Sequence, residues 1–151
     1  MEVFRIIKAE FSGQLSTSGR ANRWNRKGQH VLYTSSSRAL ATLEQLVNLG
    51  SVRPDTDWRV MVLSLPDDEA FYHRIHRRDL PVEWRRLSAM ADCQRLGGDW
   101  ADRQTSLILQ VPSAIVPMEY NVVINADHPE FDHQVRLVRT EPYFWDERWM
   151  P

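Results

Sequence analysis

The sequence predicts an α+β fold. Three observations carry this: short apolar stretches with strand-like composition recur along the chain, one segment has helical periodicity with signals at both ends, and strands and helices alternate too irregularly for a parallel α/β architecture. At 151 residues, with no internal repeat or low-complexity linker, the expectation is one domain spanning 1–151. Six Trp, five Phe and four Tyr within a 42% hydrophobic content give enough bulk to close a core at this length.

Val3, Phe4, Ile6 and Ile7 predict the first strand, and residues 12–28, rich in Gly, Ser, Asn and Arg, a long loop. Val31, Leu32 and Tyr33 predict a short strand. The hydroxyl run at 34–37 then suits the cap of a helix over Arg38–Leu49, and Gly50 is its stop signal. Leu40, Leu43 and Val47 recur on one face of that helix, with Leu46 widening the stripe, which sets Glu44 at the border of the apolar face. Residues 58–65 predict a strand ended by Pro66. Mostly helix and loop is expected over 67–98, with Pro81 near the first turn of a helix that carries Trp84 and Leu87. Residues 106–111, broken by Pro112, then 122–124 and 134–138, are the remaining strand candidates.

Lys and Arg total 19 against 20 Asp and Glu, so the formal charge of -1 provides no global field for nucleic acid, and no direct nucleic-acid binding is expected. The single cysteine, Cys93, excludes an internal disulfide framework and fits a reducing compartment, with the cytosol the simplest location. Charges at Glu2, Arg5, Lys8 and Glu10 interrupt the first apolar stretch, and no run approaches the roughly 20 residues that span a bilayer, so no membrane association is expected. His73 and His76 lack a Cys or carboxylate cluster that would complete a metal site, and no metal is expected. Arg74, Arg77 and Arg78 form a short basic run on a solvated face.

The segment at 20–44 resembles the opening motif of the RES family, toxins of bacterial toxin-antitoxin pairs: Arg23-Trp24 precedes a short strand ending in Tyr33, and Leu43-Glu44 follows on the next helix. The likeness continues through Asp79-Leu80-Pro81 with Trp84, Leu96-Gly97 with Trp100, and the VPSAIVP stretch containing Ser113. It ends with Asn121, Asn125, His128-Pro129 and the closing Trp145-Asp146-Glu147-Arg148. Ala126, Val122 and Trp149 depart from the family pattern, away from the Arg, Tyr, Glu and Ser positions. The resemblance implies a fold similar to ADP-ribosyltransferase toxins, with a split, twisted β core flanked by helices. It also implies NAD as a substrate to be consumed and no resident cofactor. The sequence contains neither a P-loop nor a dinucleotide-binding glycine fingerprint, consistent with that expectation.

On this resemblance Glu44 is the candidate for stabilising positive charge on the ribose, Arg23 for a two-pronged contact with the pyrophosphate, and Tyr33 for holding the flat, cationic nicotinamide. Ser113 is a candidate for binding the nicotinamide amide or a phosphate oxygen. By residue type alone Glu44 and Arg23 are more often a surface glutamate and a solvated loop arginine, Tyr33 is equally a strand tyrosine half-buried in the core, and Ser113 has the alternative of a turn serine bonded to its own backbone.

The leading functional expectation is cleavage of NAD at the nicotinamide-ribose bond with water or phosphate as acceptor. The alternative is transfer of ADP-ribose to a protein, and a module that only binds a nucleotide or partner remains a third reading. A ribonuclease is disfavoured by the near-neutral charge and the lack of a His-based acid/base pair. The resemblance further implies an Xre-type helix-turn-helix antitoxin as partner. The aromatic tail of Tyr143, Phe144, Trp145 and Trp149 would fit a homodimer interface as readily as the core.

Overall fold

The computed structural model describes residues 1–149. Seven strands, β1 (Glu2–Lys8), β2 (Val31–Ser35), β3 (Trp58–Ser64), β4 (Tyr72–Arg74), β5 (Ile108–Pro112), β6 (Tyr120–Asn125) and β7 (Arg136–Tyr143), form one sheet in the order β4-β5-β6-β2-β1-β3-β7. Only β4 and β5 run parallel; every other neighbouring pair is antiparallel. With the helices α1 (Arg38–Leu49), α2 (Met90–Arg103) and α3 (Phe131–Gln134), this is the α+β class expected from the irregular succession of elements.

Strand alternation divides the core. Val31 and Tyr33 of β2, Leu109 and Val111 of β5 and Val123 of β6 pack with Trp24, Trp84, Cys93 and Trp100. Their neighbours Leu32, Ile108, Val122 and Ile124 pack on the opposite face with Val3, Met61, Leu63 and Val135. A third cluster of Phe4, Ile6, Val60 and Val62 with Trp58 is covered by Ala41 and Leu49 of α1.

The split in the sheet lies between β1 and β2. β1 pairs with β3 along its whole length, and β2 pairs with β6 from Val31 to Ser35, but β1 and β2 share the single pair Phe4 with Ser35. Beyond that pair the two strands part, and the opening is the cleft described below.

Both end signals of α1 act as expected: the Ser37 Oγ accepts from the Leu40 N–H at 3.1 Å, and Gly50 takes a φ of 58° just past the last turn. The apolar stripe differs from the expected one. Leu40 and Ala41 are buried, whereas Leu43 and Val47 are exposed. The helix turns its Ala41 face to Phe4 and Ile6, and so brings Glu44 and Gln45 to the cleft, a polar surface that sequence periodicity reads as a core border.

Trp84 and Leu87 do not share the expected helix: Trp84 lies in a turn, and Leu87 opens a single 3-10 turn, Leu87–Ala89. Residues 81–86 form successive tight turns closed by Trp84 N–H to Pro81 O and Arg86 N–H to Glu83 O, and α2 begins only at Met90. Val82 and Leu87 face solvent while Trp84 is buried against Trp24, so this segment is folded around one anchor and has no helical stripe. β4 was not anticipated either; it is three residues long and gains its place by pairing with β5. The last strand starts two residues later than expected and runs on to Tyr143, because 131–134 close as a helical turn. Residues 12–28 are the expected loop, with one isolated bridge between Asn22 and Asn25. In the tail, Tyr143 and Trp145 pack beside Trp58, while Phe144 is 81% exposed.

Candidate active site

Where β1 leaves β2, a cleft of about 520 Å3 opens, lined by both strands, by α1 and by the loop that carries Arg23. That volume falls in the range of about 300–1,000 Å3 usual for small-molecule sites. Arg23, Tyr33 and Glu44, far apart in sequence, all line it.

Glu44 is half-buried on the inner side of α1. Its Oε1 accepts a hydrogen bond from the Ser113 Oγ at 2.9 Å and another from the Asn121 Nδ2, while Oε2 accepts none among the described residues. The carboxylate is thus fixed at one oxygen and open at the other.

Tyr33 is positioned by β2 and packs against the Trp24 cluster. Its hydroxyl donates to Asn25 Oδ1 at 2.7 Å and accepts from the Trp24 N–H at 3.0 Å. Burial pushes the phenol above its ordinary pKa, against smaller lowering effects of the Trp24 N–H and the Arg23 charge. The group therefore stays neutral and serves as a strut for the loop, leaving ring surface to the cleft.

Arg23 donates from Nη1 to Trp84 O at 2.8 Å and from Nη2 to Arg85 O at 3.1 Å. Two of its five N–H groups hold residues 84–85 in place, and the guanidinium also neighbours the buried Cys93 thiol, while Arg23 still lines the cleft. Gly97 makes this loop position reachable: a Cβ there would lie 2.1 Å from Trp24 O, so only glycine lets α2 come this close.

Ser113 is fully buried and stands behind Glu44 instead of lining the cleft. Its Oγ donates to Glu44 and accepts from the N–H groups of Ile115 and Val116 at 3.1 and 3.0 Å. All its hydrogen-bonding capacity is in use, which gives it the role of a support for Glu44 in place of the direct substrate contact expected from sequence.

The structure adds Arg5. It lines the cleft from β1 and donates to Ser16 O at 3.3 Å. Burial holds its pKa below the ordinary arginine value, and no carboxylate contributes to the shift. A partly buried cation facing a cleft, with no acidic partner among the described residues, is suited to an anionic ligand. The signal in the sequence was a charge in the middle of an apolar strand.

A family model described as the RES domain matches residues 2–146. The chain belongs to the RES domain family. Among curated RES relatives, the "Toxin Res" of Yersinia enterocolitica serotype O:8 is 29% identical over 152 residues, covering 98% of this chain and 99% of that protein. The "Prs ADP-ribosylating toxin" of a Sphingobium species is 37% identical over 109 residues, covering 72% and 68%. Among solved structures, the M. tuberculosis MbcT-MbcA toxin-antitoxin complex contains a chain that superposes with a TM-score of 0.74 at 16% identity, covering 94% of this RES domain and 83% of that chain.

Within this RES domain the remaining polar candidates fall outside the cleft lining. His128 Nδ1 accepts from the Glu130 N–H at 3.1 Å and locks a turn, His73 is exposed, and Cys93 is a free, buried thiol in the Trp24 cluster. Among the described residues no group of three or more His, Cys, Asp or Glu side chains could hold a metal ion, and no helix is long and apolar enough to cross a membrane.

Proposed function

We propose that this RES domain is a cytosolic toxin that cleaves NAD at the bond between nicotinamide and ribose. The observation that carries the reading is the Glu44 carboxylate, held at Oε1 and open at Oε2, in one cleft with two arginines and an aromatic ring. Heterolysis of the C1′–N bond sends the bonding pair to the ring nitrogen, which leaves as neutral nicotinamide, and positive charge develops on the sugar as in glycoside hydrolysis. A fixed anion at that point stabilises the charge without having to reorganise. Arg23 and Arg5 bind the phosphates, and the Tyr33 ring supports nicotinamide through stacking and cation-π attraction. Water or inorganic phosphate then adds to C1′, the water losing its proton, and the product is ADP-ribose or its 1-phosphate. NAD enters as substrate, and the reaction uses no resident cofactor.

Protein ADP-ribosylation by the same residues is the second reading, favoured by the name of the Sphingobium relative. The cleft is open to solvent at the exposed Val47 and Leu87, so a macromolecular acceptor has access. The mycobacterial neighbour is a toxin-antitoxin complex, which supports an antitoxin partner here as well. We assign it the Xre-type helix-turn-helix class. Depletion of NAD by this reaction stops bacterial growth, and co-expression of the adjacent gene product should then relieve that arrest.

The test is nicotinamide release from NAD by purified protein, with and without phosphate, beside a folded Glu44→Gln variant. Release that falls at least about 100-fold in the variant is the expected outcome. Equal release by both proteins would sink the assignment, and labelled ADP-ribose retained on a protein band would favour transfer.

A further inference from the structure

We infer that Asn121 and Ser35 are positioning residues that decide which oxygen of Glu44 meets the substrate. The inference rests on the NAD-cleaving reading of the cleft. Asn121 stands on β6, opposite Ser35 of β2, so the two side chains share a face at the point where the sheet splits. Ser35 Oγ donates to Asn121 Oδ1 at 2.8 Å, and Asn121 Nδ2 donates to Glu44 Oε1, the oxygen that also accepts from Ser113.

The chain of donors has one workable direction. An ionised carboxylate only accepts, so Asn121 must present its NH2 to Glu44 and its carbonyl to the other side. Ser35, 4% exposed, meets that carbonyl with a hydroxyl proton and makes the reversed amide the unfavourable one. Both donors on Glu44 converge on Oε1, so Oε2 is the atom turned to the ligand. The anchors sit on sheet strands and the carboxylate on a helix, so the network fixes α1 chemistry against the most rigid part of the fold. Rotamer freedom of the glutamate is then removed before substrate arrives.

The experiment compares the parent with Asn121→Asp, which is isosteric, and with Ser35→Ala, which keeps the asparagine and frees its amide. Steady-state NAD cleavage and the 13Cδ titration of Glu44 are both measured. The other titratable groups lining the cleft are Arg5 and Lys8 from β1, Arg23 from the loop and Tyr33 from β2, and none is altered. In Asn121→Asp a second carboxylate replaces the donor. kcat should fall about 100-fold with KM within about threefold, and the Glu44 midpoint should rise by about one pH unit or more. Ser35→Ala should lower kcat about fivefold with KM unchanged. A merely structural role would lower Tm without separating kcat from KM or moving the midpoint. Full kcat in Asn121→Asp, or an unmoved midpoint, overturns the assignment. Should the parent release no nicotinamide, the NAD reading falls and the titration alone decides Asn121: a raised midpoint supports the contact and an unmoved one overturns it.

Discussion

The Tyr33 side chain gives its ring and its hydroxyl to different neighbours, and the two can be separated by a single atom. Tyr33→Phe keeps the ring in the cleft but leaves the Trp24 N–H and the Asn25 carbonyl without their bonds. An unsatisfied buried donor costs roughly 1–3 kcal/mol, so thermal unfolding should show a clear loss of stability. Nicotinamide release at a temperature where the variant is folded should stay within about fivefold of the parent, since the phenol carries no proton in the reaction. A far larger loss of rate would mean that the hydroxyl touches substrate. At this scale the sequence was informative where a residue type matched a chemical need: Arg23, Tyr33 and Glu44 do meet in one cleft. It was silent where the role comes from a neighbour. Nothing in the hydroxyl run 34–37 separates Ser37, which caps α1, from Ser35, which bonds Asn121. Nor does a buried serine announce that its partner is a carboxylate 69 positions away.

At the scale of elements, α2 and the Arg23 loop are fitted to each other through two glycines. A methyl group at Gly97 would meet Trp24 O at 2.1 Å, and one at Gly98 would meet the Arg26 guanidinium at 2.8 Å. The backbone contact cannot yield as a side chain could, so Gly97→Ala should cost at least about 2 kcal/mol in denaturant melts. It should also lower NAD cleavage by displacing Arg23 and Trp24. A fully stable Gly97→Ala protein would contradict this packing. Helix α1 and the strands over 58–64 and 120–125 were legible because caps and β-branched runs are local signals. The turns at 81–86 and the strand β4 were not, because both exist through long-range partners, Trp84 with Trp24 and Tyr72 with Ile108. The exposed Leu43 and Val47 misled for a related reason. A helix beside a cleft spends part of its inward face on the site, so its apolar period no longer coincides with its buried side.

Across the whole molecule, the long loop is tied to α2 by charge as well as by shape. Arg26 bonds Asp99 at 2.5 Å and Asp102 at 3.1 Å, and its hydrogen bond holds the Asp99 carboxyl below the ordinary carboxylate value. A native pKa that is depressed contributes stability above the unfolded value and loses it as pH falls through the native one. Asp99→Asn should therefore lower Tm at neutral pH, with the gap to the parent closing as the pH drops below about 4. A gap that widened on acidification would refute the pairing. The α+β class and the family's split core were open to sequence reasoning through motif order, but the place of the split follows from one register that no local pattern encodes.

That register gives the molecule a line of weakness. One plate is β4 to β2 and the other is β1 with β3 and β7; within the ladder a single pair, Phe4 against Ser35, joins them, while Val3, Met61 and Leu63 pack on Leu32, Val122 and Ile124 across the seam. Load drawn across the sheet would concentrate there, while every other seam shares it over three or more pairs. A molecule wedged in the groove between Arg5 and Tyr33 would therefore touch both plates and bridge them on the side that the ladder leaves open.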